Sequence, residues 1–375
     1  MITRFLYKKL QHFLQPNKVV VIHGPRRVGK TTLIQQFIES YSGRVKFVDG
    51  GQLKIHESLS STSVSTLQEF VAGYDLFVLD EAQKVPNIGA NLKLMVDHIP
   101  GIKIIVSGSA SFELAGQIGE PLTGRKWTLN LFPLSIKELI KFRGVENTKE
   151  ILHNDVLIYG GYPGVYDFPP DERSAYLEEV VDSYLFKDIL ELDNIKNSKK
   201  LRDLLTLLAF QIGNEVSLSE LGGQLELNRN TVARYLDLLE KSFILVNIRG
   251  FSRNLRKEVT KTSRYYFYDI GVRNALINNF NPLHIRDDVG QLWENFIVME
   301  RLKKQHYEGP HANNYFWRTY DQQEIDLVEE REGKLFGYEI KWNPKRETKA
   351  PKSWHETYEN SEFKCITNEN YLDFI

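Results

Sequence analysis

Near its N-terminus the chain reads Gly24-Pro25-Arg26-Arg27-Val28-Gly29-Lys30-Thr31, which fits the phosphate-binding pattern G-x-x-x-x-G-K-[ST]. An apolar run of β type, Lys18 to His23, precedes this segment, and a helix-like run, Thr31 to Ser40, follows it. Glycines let the backbone curl, so that successive N–H groups point at phosphate oxygens at the start of a helix. The sequence therefore predicts a nucleotide site between a strand and a helix.

Two side chains of this loop have specific expected tasks. Lys30 is expected to reach the terminal phosphates, and Thr31 to place its hydroxyl on a magnesium ion. ATP and Mg2+ are accordingly the ligands that the pattern predicts. The expected nucleotide contacts are Gly24, Pro25, Arg26, Arg27, Val28, Gly29, Lys30, Thr31 and Thr32.

The composition is that of a folded chain of two or three domains: 375 residues, 42% hydrophobic and 12% aromatic. No apolar run approaches the length of a membrane span, and Met1 to Leu14 has the mixed character of an amphipathic helix, so no membrane partner is expected. The single cysteine, Cys365, excludes an intrachain disulfide and favours a cytoplasmic location. The net charge of -1 excludes a uniformly basic surface, so any nucleic acid would be bound by local patches.

A second apolar run, Leu76 to Glu81, ends in two adjacent acids. Side chains at the carboxyl ends of parallel strands face the ligand crevice, so Asp80 is expected to hold magnesium through water. Glu81 is the candidate base that orients and polarises the water attacking the terminal phosphate. The two acids therefore predict hydrolysis of ATP in addition to its binding.

Two later segments add candidates for the same site. The apolar run Ile102 to Val106 ends in Ser107-Gly108-Ser109, and the hydroxyl of Ser107 or of Ser109 is suited to sense the phosphate. Arg125 precedes a strand candidate, Lys126 to Leu131, and is a candidate for neutralising charge that develops in phosphoryl transfer. An ordinary surface arginine is the alternative for Arg125.

In their order along the chain, these parts resemble the bacterial and archaeal P-loop ATPases of the AAA+ kind. The resemblance implies a central parallel sheet with flanking helices, followed by a helical lid that begins near Leu134 and includes a helix from Tyr176 to Leu192. Homo-oligomers are a further possibility in such proteins. The matching stretches are GPRRVGKTTL (Gly24 to Leu33), LFVLDEAQKVP (Leu76 to Pro86), IIVSGSASFEL (Ile104 to Leu114), LTGR (Leu122 to Arg125), LFPLSIKEL (Leu131 to Leu139) and GGYPGV (Gly160 to Val165).

The middle of the chain has the element order of a winged helix-turn-helix. Three helix-like segments, Leu201 to Phe210, Ser217 to Leu225 and Arg229 to Ser242, precede two β-type runs, Ile244 to Ile248 and Tyr265 to Tyr268. The loop between these runs carries six cations against one acid, which suits contact with phosphates. Packing against the ATPase core or a protein partner is the alternative. The six cations are Arg249, Arg253, Arg256, Lys257, Lys261 and Arg264.

Near the C-terminus, two β-type runs separated by a polar turn with Gly333 predict a hairpin. Because side chains alternate along a strand, Glu339 and Lys341 share one face, and Asp326 can meet them from the neighbouring strand. Two acids and a lysine in this arrangement suit a magnesium site at a scissile phosphate.

This hairpin resembles the PD-(D/E)XK nuclease superfamily. Ile325 stands where the signature has proline, and Glu294 occupies the place of the acid that usually lies on a preceding helix. The resemblance implies that Glu294, Asp326 and Glu339 hold the metal and that Lys341 is catalytic. Retained residues permit cleavage of nucleic acid without establishing it.

The sequence thus predicts an α/β protein with four segments. They are a P-loop ATPase core (1–133), a helical lid (134–198), a winged helix-turn-helix (199–280) and a nuclease-like α/β domain of restriction-endonuclease type (281–375). The predicted function is ATP hydrolysis that controls engagement with nucleic acid, DNA in the first place, with Mg2+-dependent cleavage as a further activity. The alternative is an ATP-driven regulatory switch whose C-terminal domain is a catalytically silent module that binds DNA or protein.

Overall fold

The computed structural model describes residues 2–109, 122–185, 198–251, 263–319, 322–346 and 348–375. These residues form two compact units. The first is built from the described residues of Met1–Leu134 with Lys241–Phe243, and the second from those of Ser135–Phe186, Ile195–Glu240 and Ile244–Ile375. Within this described part of the chain, no helix is both long enough and apolar enough to cross a membrane.

The first unit is organised around a five-stranded parallel sheet, which agrees with the predicted α/β class. Every residue of the strands Val19–His23 and Leu76–Asp80 is buried, as expected for strands covered on both faces. The strand order is β2-β3-β4-β1-β5. Because all pairings are parallel, the carboxyl ends of the strands meet at one edge. The strands are Val19–His23 (β1), Val45–Asp49 (β2), Leu76–Asp80 (β3), Lys103–Gly108 (β4) and Lys126–Asn130 (β5).

Helices join these strands and cover the sheet. The helix after β1 buries Leu33, Ile34 and Phe37, which is the spacing expected of one helix face. A short 3-10 turn, Ala82–Lys84, follows β3. The α-helices of this unit are Leu6–Phe13, Lys30–Glu39, Leu53–Leu59, Val64–Val71 and Ile88–His98.

The second unit begins with a run of short helical segments between residues 135 and 185, within the range 134–198 for which helices are predicted. Ser135 caps the first of them, because its hydroxyl accepts a hydrogen bond from the Glu138 backbone while the Glu138 carboxylate accepts one from the Ser135 backbone. The end of the predicted Tyr176 to Leu192 helix lies outside the described residues. The segments are Ile136–Arg143, Val145–Asn147, Thr148–Glu150, Ile151–Val156, Leu157–Tyr159, Pro163–Asp167, Arg173–Glu179 and Val180–Leu185.

Three helices and three strands follow in the order that the sequence predicts for the middle segment, with one short strand added. The helices are Ser198–Phe210, Leu218–Leu225 and Arg229–Lys241, and the strands are Glu215–Val216 (β6), Leu245–Gly250 (β7) and Ser263–Phe267 (β8). The third helix buries Val232, Tyr235, Leu236 and Leu239, whereas Arg229, Asn230 and Arg234 are exposed. Four of the six loop cations, Arg253, Arg256, Lys257 and Lys261, lie outside the described residues.

The C-terminal part contributes four strands, Asn313–Arg318 (β9), Glu324–Arg331 (β10), Lys334–Ile340 (β11) and Ser361–Ile366 (β12). The predicted hairpin is present, because β10 and β11 pair antiparallel around Glu332 and Gly333, which both have positive φ. β7 pairs with β9, so one seven-stranded sheet, β12-β11-β10-β9-β7-β8-β6, runs through both predicted C-terminal segments. The helices here are Ile270–Leu276, Val289–Tyr307, Lys352–Thr357 and Tyr371–Phe374.

Candidate nucleotide-binding site and C-terminal charged centre

The glycines of the loop after β1 are required by its geometry. A Cβ on Gly24 would lie 2.3 Å from the carbonyl oxygen of Leu131, which is closer than atoms can approach. Gly29 has φ +92°, in the left-handed region that favours glycine. Of the other predicted contacts, Pro25 and Val28 are buried, while Arg27 and Thr32 are exposed. Arg26 is half-buried, so the loop presents a mixed surface at the carboxyl edge of the sheet.

Lys30, Thr31 and Asp80 meet at this edge, as the sequence predicts. Lys30 Nζ donates hydrogen bonds to the carbonyl oxygens of Gly24 at 2.9 Å and Pro25 at 2.7 Å, so it curls back over the loop. Thr31 Oγ1 donates to Asp80 Oδ2 at 2.6 Å. The hydroxyl and the carboxylate expected near a magnesium ion therefore lie side by side.

Ser107 is the serine that reaches the acids. The pairing of β3 with β4 sets the end of one strand beside the end of the other, so Ser107 Oγ donates to Asp80 Oδ1. Ser107 Oγ also accepts a hydrogen bond of 3.1 Å from the Glu81 backbone N–H. Ser109 lies beyond the end of β4, and its Oγ accepts instead from Gln83 Nε2 at 3.3 Å.

Gln83 is a residue of the site that sequence reasoning missed. Its Nε2 donates to Glu81 Oε2 at 2.7 Å, whereas Lys84 Nζ is 3.8 Å from the same oxygen. The Gln83 Oε1 atom is buried and accepts no hydrogen bond from the described residues. The amide thus holds the candidate base and offers an acceptor beside it. The only sequence signal was its position two residues after Glu81.

Arg4 is a second missed residue, because it comes from the N-terminal segment far from the motif. Its side chain is buried, and Nη1 donates to the Val28 carbonyl at 2.7 Å. Nη2 donates to the Phe132 carbonyl at 2.5 Å. Through these two hydrogen bonds, Arg4 connects the nucleotide loop to the segment after β5.

The structure does not bring Arg125 to this site within one chain, which corrects the expected role there. Lys126 pairs with Val19, the first residue of β1, so Arg125 lies at the edge of the sheet opposite the loop. The length of β1, five residues at roughly 3.3 Å each, separates the two edges by about 16 Å. Arg125 Nε instead donates to Asp97 Oδ1 at 2.7 Å, and this partner lowers the pKa of Asp97.

The residues around Thr31 fit a magnesium ion. Mg2+ prefers hard oxygen ligands and keeps several of its waters, and a hydroxyl beside a carboxylate supplies such oxygens without a competing cation between them. When bound with ATP, the ion would contribute charge neutralisation at the phosphates, with Thr31 and Asp80 as the residues that hold it.

In the second unit, Asp326, Glu339 and Lys341 converge as predicted from the hairpin. Lys341 Nζ is 2.6 Å from Glu339 Oε1 and 3.7 Å from Asp326 Oδ2. The Ile340 backbone N–H donates to Asp326 Oδ2 at 2.8 Å. Asp326 is a buried residue of β10, and the contacts from Ile340 and Lys341 hold its carboxylate in place.

Glu294 joins the same cluster from the helix Val289–Tyr307, but it does so beside an arginine that the sequence did not assign to the site. Arg264 Nη1 is 3.7 Å from Glu294 Oε1 and 3.5 Å from Asp326 Oδ1. Its Nη2 donates to Glu324 Oε2 at 2.9 Å. We refer to Arg264, Glu294, Glu324, Asp326, Glu339 and Lys341 as the C-terminal charged centre.

Burial shifts the proton affinities of this centre. Burial, and then the Asp326 carboxylate, raise the pKa of Glu294 to about 8. The same two causes raise the pKa of Glu339 to about 7. Burial also raises the pKa of Asp326, against the opposing effect of Lys341. Burial disfavours the charge on Arg264, but Tyr266 and the surrounding acids outweigh it and raise its pKa.

The acids of this centre do not fit a divalent metal as they stand. Within the ranges that the structure describes, no group of three or more histidine, cysteine, aspartate or glutamate side chains is arranged to hold a metal ion. Arg264 and Lys341 instead neutralise the carboxylates that the sequence assigned to metal. The predicted metal role of Glu294, Asp326 and Glu339 therefore has no support in this geometry.

Comparison with protein families divides the chain in three. Residues 16–140 match a model described as an AAA domain. Residues 151–283 and 289–371 match two domains of unknown function, DUF8612 and DUF4143. Together with the loop geometry, the first match supports an AAA-type P-loop ATPase that binds and hydrolyses ATP.

The chain is similar in sequence to three uncharacterized proteins. One, from Mycobacterium tuberculosis, is 26% identical over 338 residues, which are 89% of this chain and 72% of that protein. Another, from Methanocaldococcus jannaschii, is 25% identical over 361 residues, 90% of this chain and 78% of that protein. A third, from Haemophilus influenzae, is 22% identical over 383 residues, 95% of this chain and 89% of that protein.

Two solved structures are similar only at low TM-scores. Replication initiator DnaA bound to AMPPCP and single-stranded DNA has a TM-score of 0.31 at 16% identity, covering 64% of this chain and 90% of that chain. A signal transduction ATPase with numerous domains and a tetratricopeptide repeat sensor, from Pyrococcus horikoshii, has a TM-score of 0.26 at 14% identity, covering 83% and 46%. TM-scores this low do not establish a shared fold.

Proposed function

We propose that the chain is an ATPase that couples its nucleotide state to engagement of nucleic acid by its C-terminal half. The observation that carries the ATPase part is the meeting of Lys30, Thr31, Asp80, Ser107 and Glu81 at one edge of the parallel sheet. Such an arrangement provides the phosphate, the metal and the attacking water with separate partners.

The residues divide the work of phosphoryl transfer. Lys30 neutralises charge on the terminal phosphates once nucleotide replaces the loop carbonyls as its hydrogen-bond acceptors. Glu81 orients and polarises water, and Gln83 fixes the Glu81 carboxylate through the 2.7 Å hydrogen bond. Ser107 Oγ hydrogen-bonds both the Asp80 carboxylate and the Glu81 backbone N–H. Contact between the nucleotide and Asp80 therefore affects the position of the candidate base Glu81.

The proposal for nucleic acid has support from the helix Arg229–Lys241. Its apolar face is buried, while Arg229, Asn230 and Arg234 are exposed together near its start. The preceding helix Leu218–Leu225 is capped by Ser217, which accepts a hydrogen bond from the Glu220 backbone N–H. A pair of helices followed by the antiparallel strands β7 and β8 is the order of a winged helix-turn-helix, in which the exposed arginines would contact DNA.

The ATPase part is tested by phosphate release from purified protein and from Lys30→Ala. We expect release by the wild type and none by the variant, because the terminal phosphates lose their cation. Continued hydrolysis by Lys30→Ala would remove the assignment.

The nucleic-acid part is tested by the salt dependence of duplex DNA binding with ATP and with ADP. We expect different affinities in the two nucleotide states, and a shallower salt slope for the double variant Arg229→Ala/Arg234→Ala, since each lost phosphate contact removes about 0.9 from the slope. Arg202→Ala, an exposed arginine on the helix Ser198–Phe210, is the matched control. Equal salt slopes for all three proteins would show that Arg229 and Arg234 do not contact phosphates, and absence of DNA binding would favour a protein partner instead.

A second candidate is a regulatory ATPase whose C-terminal module binds without cutting. The observation that favours it is the arginine between the acids of the C-terminal charged centre. The two candidates differ in nicking of DNA or RNA with Mg2+. Nicking by the wild type that is abolished in Asp326→Ala would establish nuclease activity. If the wild type does not nick DNA or RNA, the result supports a C-terminal module that binds without cutting.

A further inference from the structure

The space between the acids of the C-terminal charged centre holds a guanidinium group. Arg264 Nη1 lies 3.5 Å from Asp326 Oδ1 and 3.7 Å from Glu294 Oε1. A divalent ion shared by these two carboxylates would need their oxygens at about 2.0–2.6 Å, and so would compete for the region that Nη1 occupies. Arg264 therefore stands in the place that the sequence pattern assigns to a metal.

The backbone and the surroundings of Arg264 fix it there. The residue belongs to β8, where it pairs with Ile248 of β7 on one side and Glu215 of β6 on the other. Its guanidinium carbon lies 4.6 Å from the centre of the Phe316 ring, and the residue is only 5% exposed. Moving the guanidinium out would break its contacts with three carboxylates, of which Asp326 and Glu294 are largely buried, and removing a partner from a buried charge is costly.

Each carboxylate of the centre already has a cationic partner without a metal. Four carboxylates face two cations, and Lys341 pairs with Glu339 at 2.6 Å. Tyr266 adds a neutral donor, because its hydroxyl donates to Glu294 Oε1 at 2.7 Å. A divalent ion at this centre would have to displace these partners from the carboxylates.

We infer that Arg264 is the resident cation of the C-terminal charged centre, which works as an ion-pair junction that takes no divalent metal. The junction joins β8 to the helix Val289–Tyr307 and to the hairpin β10–β11. This inference goes beyond the proposed function and is separate from ATP hydrolysis, so failure of the Lys30→Ala test would leave it intact.

The decisive experiment titrates nucleotide-free full-length protein with Mn2+ and follows free Mn2+ by electron paramagnetic resonance. Wild type and Asp326→Asn are expected to take up the same amount of Mn2+, because the carboxylate is engaged by Arg264 and Lys341. If the wild type binds one equivalent more than Asp326→Asn, the inference is overturned.

A gain-of-binding variant tests the same point from the other side. Arg264→Met should acquire one bound Mn2+ per chain that the wild type lacks. The double variant Arg264→Met/Asp326→Asn should lose it. Arg318→Met is the matched control, since Arg318 is an arginine of the same sheet that pairs with Glu215 outside the centre, and no gain is expected from it.

Circular dichroism and thermal unfolding establish whether Arg264→Met folds. A folded Arg264→Met that gains no Mn2+ would contradict the inference. If this variant does not fold, the comparison of wild type with Asp326→Asn decides the matter alone.

Discussion

The side-chain amide of Gln83 donates a 2.7 Å hydrogen bond to the carboxylate of Glu81. A hydrogen bond to a charged group contributes about 1.5–3 kcal/mol, and here it fixes the direction of the candidate base. The Gln83 Oε1 atom is buried and accepts no hydrogen bond from the described residues. We therefore propose Gln83 as a positioning residue for the candidate base Glu81.

Replacing Gln83 by alanine should lower kcat for ATP hydrolysis by about tenfold to a hundredfold, because the hydrogen bond that orients Glu81 is lost. The Kd for nucleotide should stay near the wild-type value, since the amide contacts the base and not the loop. Steady-state hydrolysis and titration with a fluorescent ATP analogue measure the two effects separately.

The matched control for this prediction is Lys84→Ala, because Lys84 is 3.8 Å from the same Glu81 oxygen and its side chain is 46% exposed. It should hydrolyse ATP at close to the wild-type rate. An equal loss of kcat in both variants would mean that the local charge, and not the amide bond, controls Glu81.

Arg4→Met should weaken nucleotide binding by about tenfold, because the hydrogen bond that braces the loop at Val28 contributes roughly 1–1.5 kcal/mol. Lys8→Met, an exposed change on the helix Leu6–Phe13 that follows Arg4, is the control and should bind as the wild type does. Titration with fluorescent nucleotide checks both. Wild-type affinity in Arg4→Met would show that the loop keeps its shape without this brace.

Glu329→Gln should change how the second unit responds to acid. Burial opposes the charge on Glu329, but hydrogen bonds from Arg301 and then Arg331 outweigh it and lower its pKa. A carboxyl with a lowered pKa in the folded state stabilises the fold above its unfolded pKa of about 4.5, and this stabilisation is lost as the pH falls below that value. The wild type should therefore lose free energy of unfolding below about pH 4.5.

In Glu329→Gln the buried Arg301 lacks its charged partner, so the variant should be about 3–5 kcal/mol less stable at pH 7. The difference should shrink as the pH falls toward 3. Urea unfolding followed by tryptophan fluorescence measures it, because Trp293, Trp317, Trp342 and Trp354 all lie in the second unit. A difference that is constant from pH 3 to pH 7 would show that the charge of Glu329 is not its source.

The parts of the site that the sequence predicts are those that depend on strand ends. Lys30 and Thr31 begin the helix after the loop that follows β1, and Asp80 ends β3, so parallel pairing brings them to the same edge of the sheet. The same reasoning works for Asp326 and Glu339, because alternation along a hairpin fixes which side chains share a face.

The parts that the sequence does not predict depend on side chains that arrive from elsewhere. Arg4 reaches Val28 across 24 residues, and Arg264 reaches Glu324 across 60, and no local pattern marks either contact. Arg125 shows a different limit. The sequence predicts that Arg125 lies beside a strand. Because it precedes the start of β5, it lies at the edge of the sheet opposite the nucleotide loop.

The central claim is that Glu81 acts as the base for ATP hydrolysis at the loop of Lys30 and Thr31. Single-turnover hydrolysis by Glu81→Gln, measured beside its nucleotide Kd, tests this claim most directly. We expect a rate lower by about 10²–10⁴-fold, with the Kd unchanged. Hydrolysis by Glu81→Gln at the wild-type rate would contradict it.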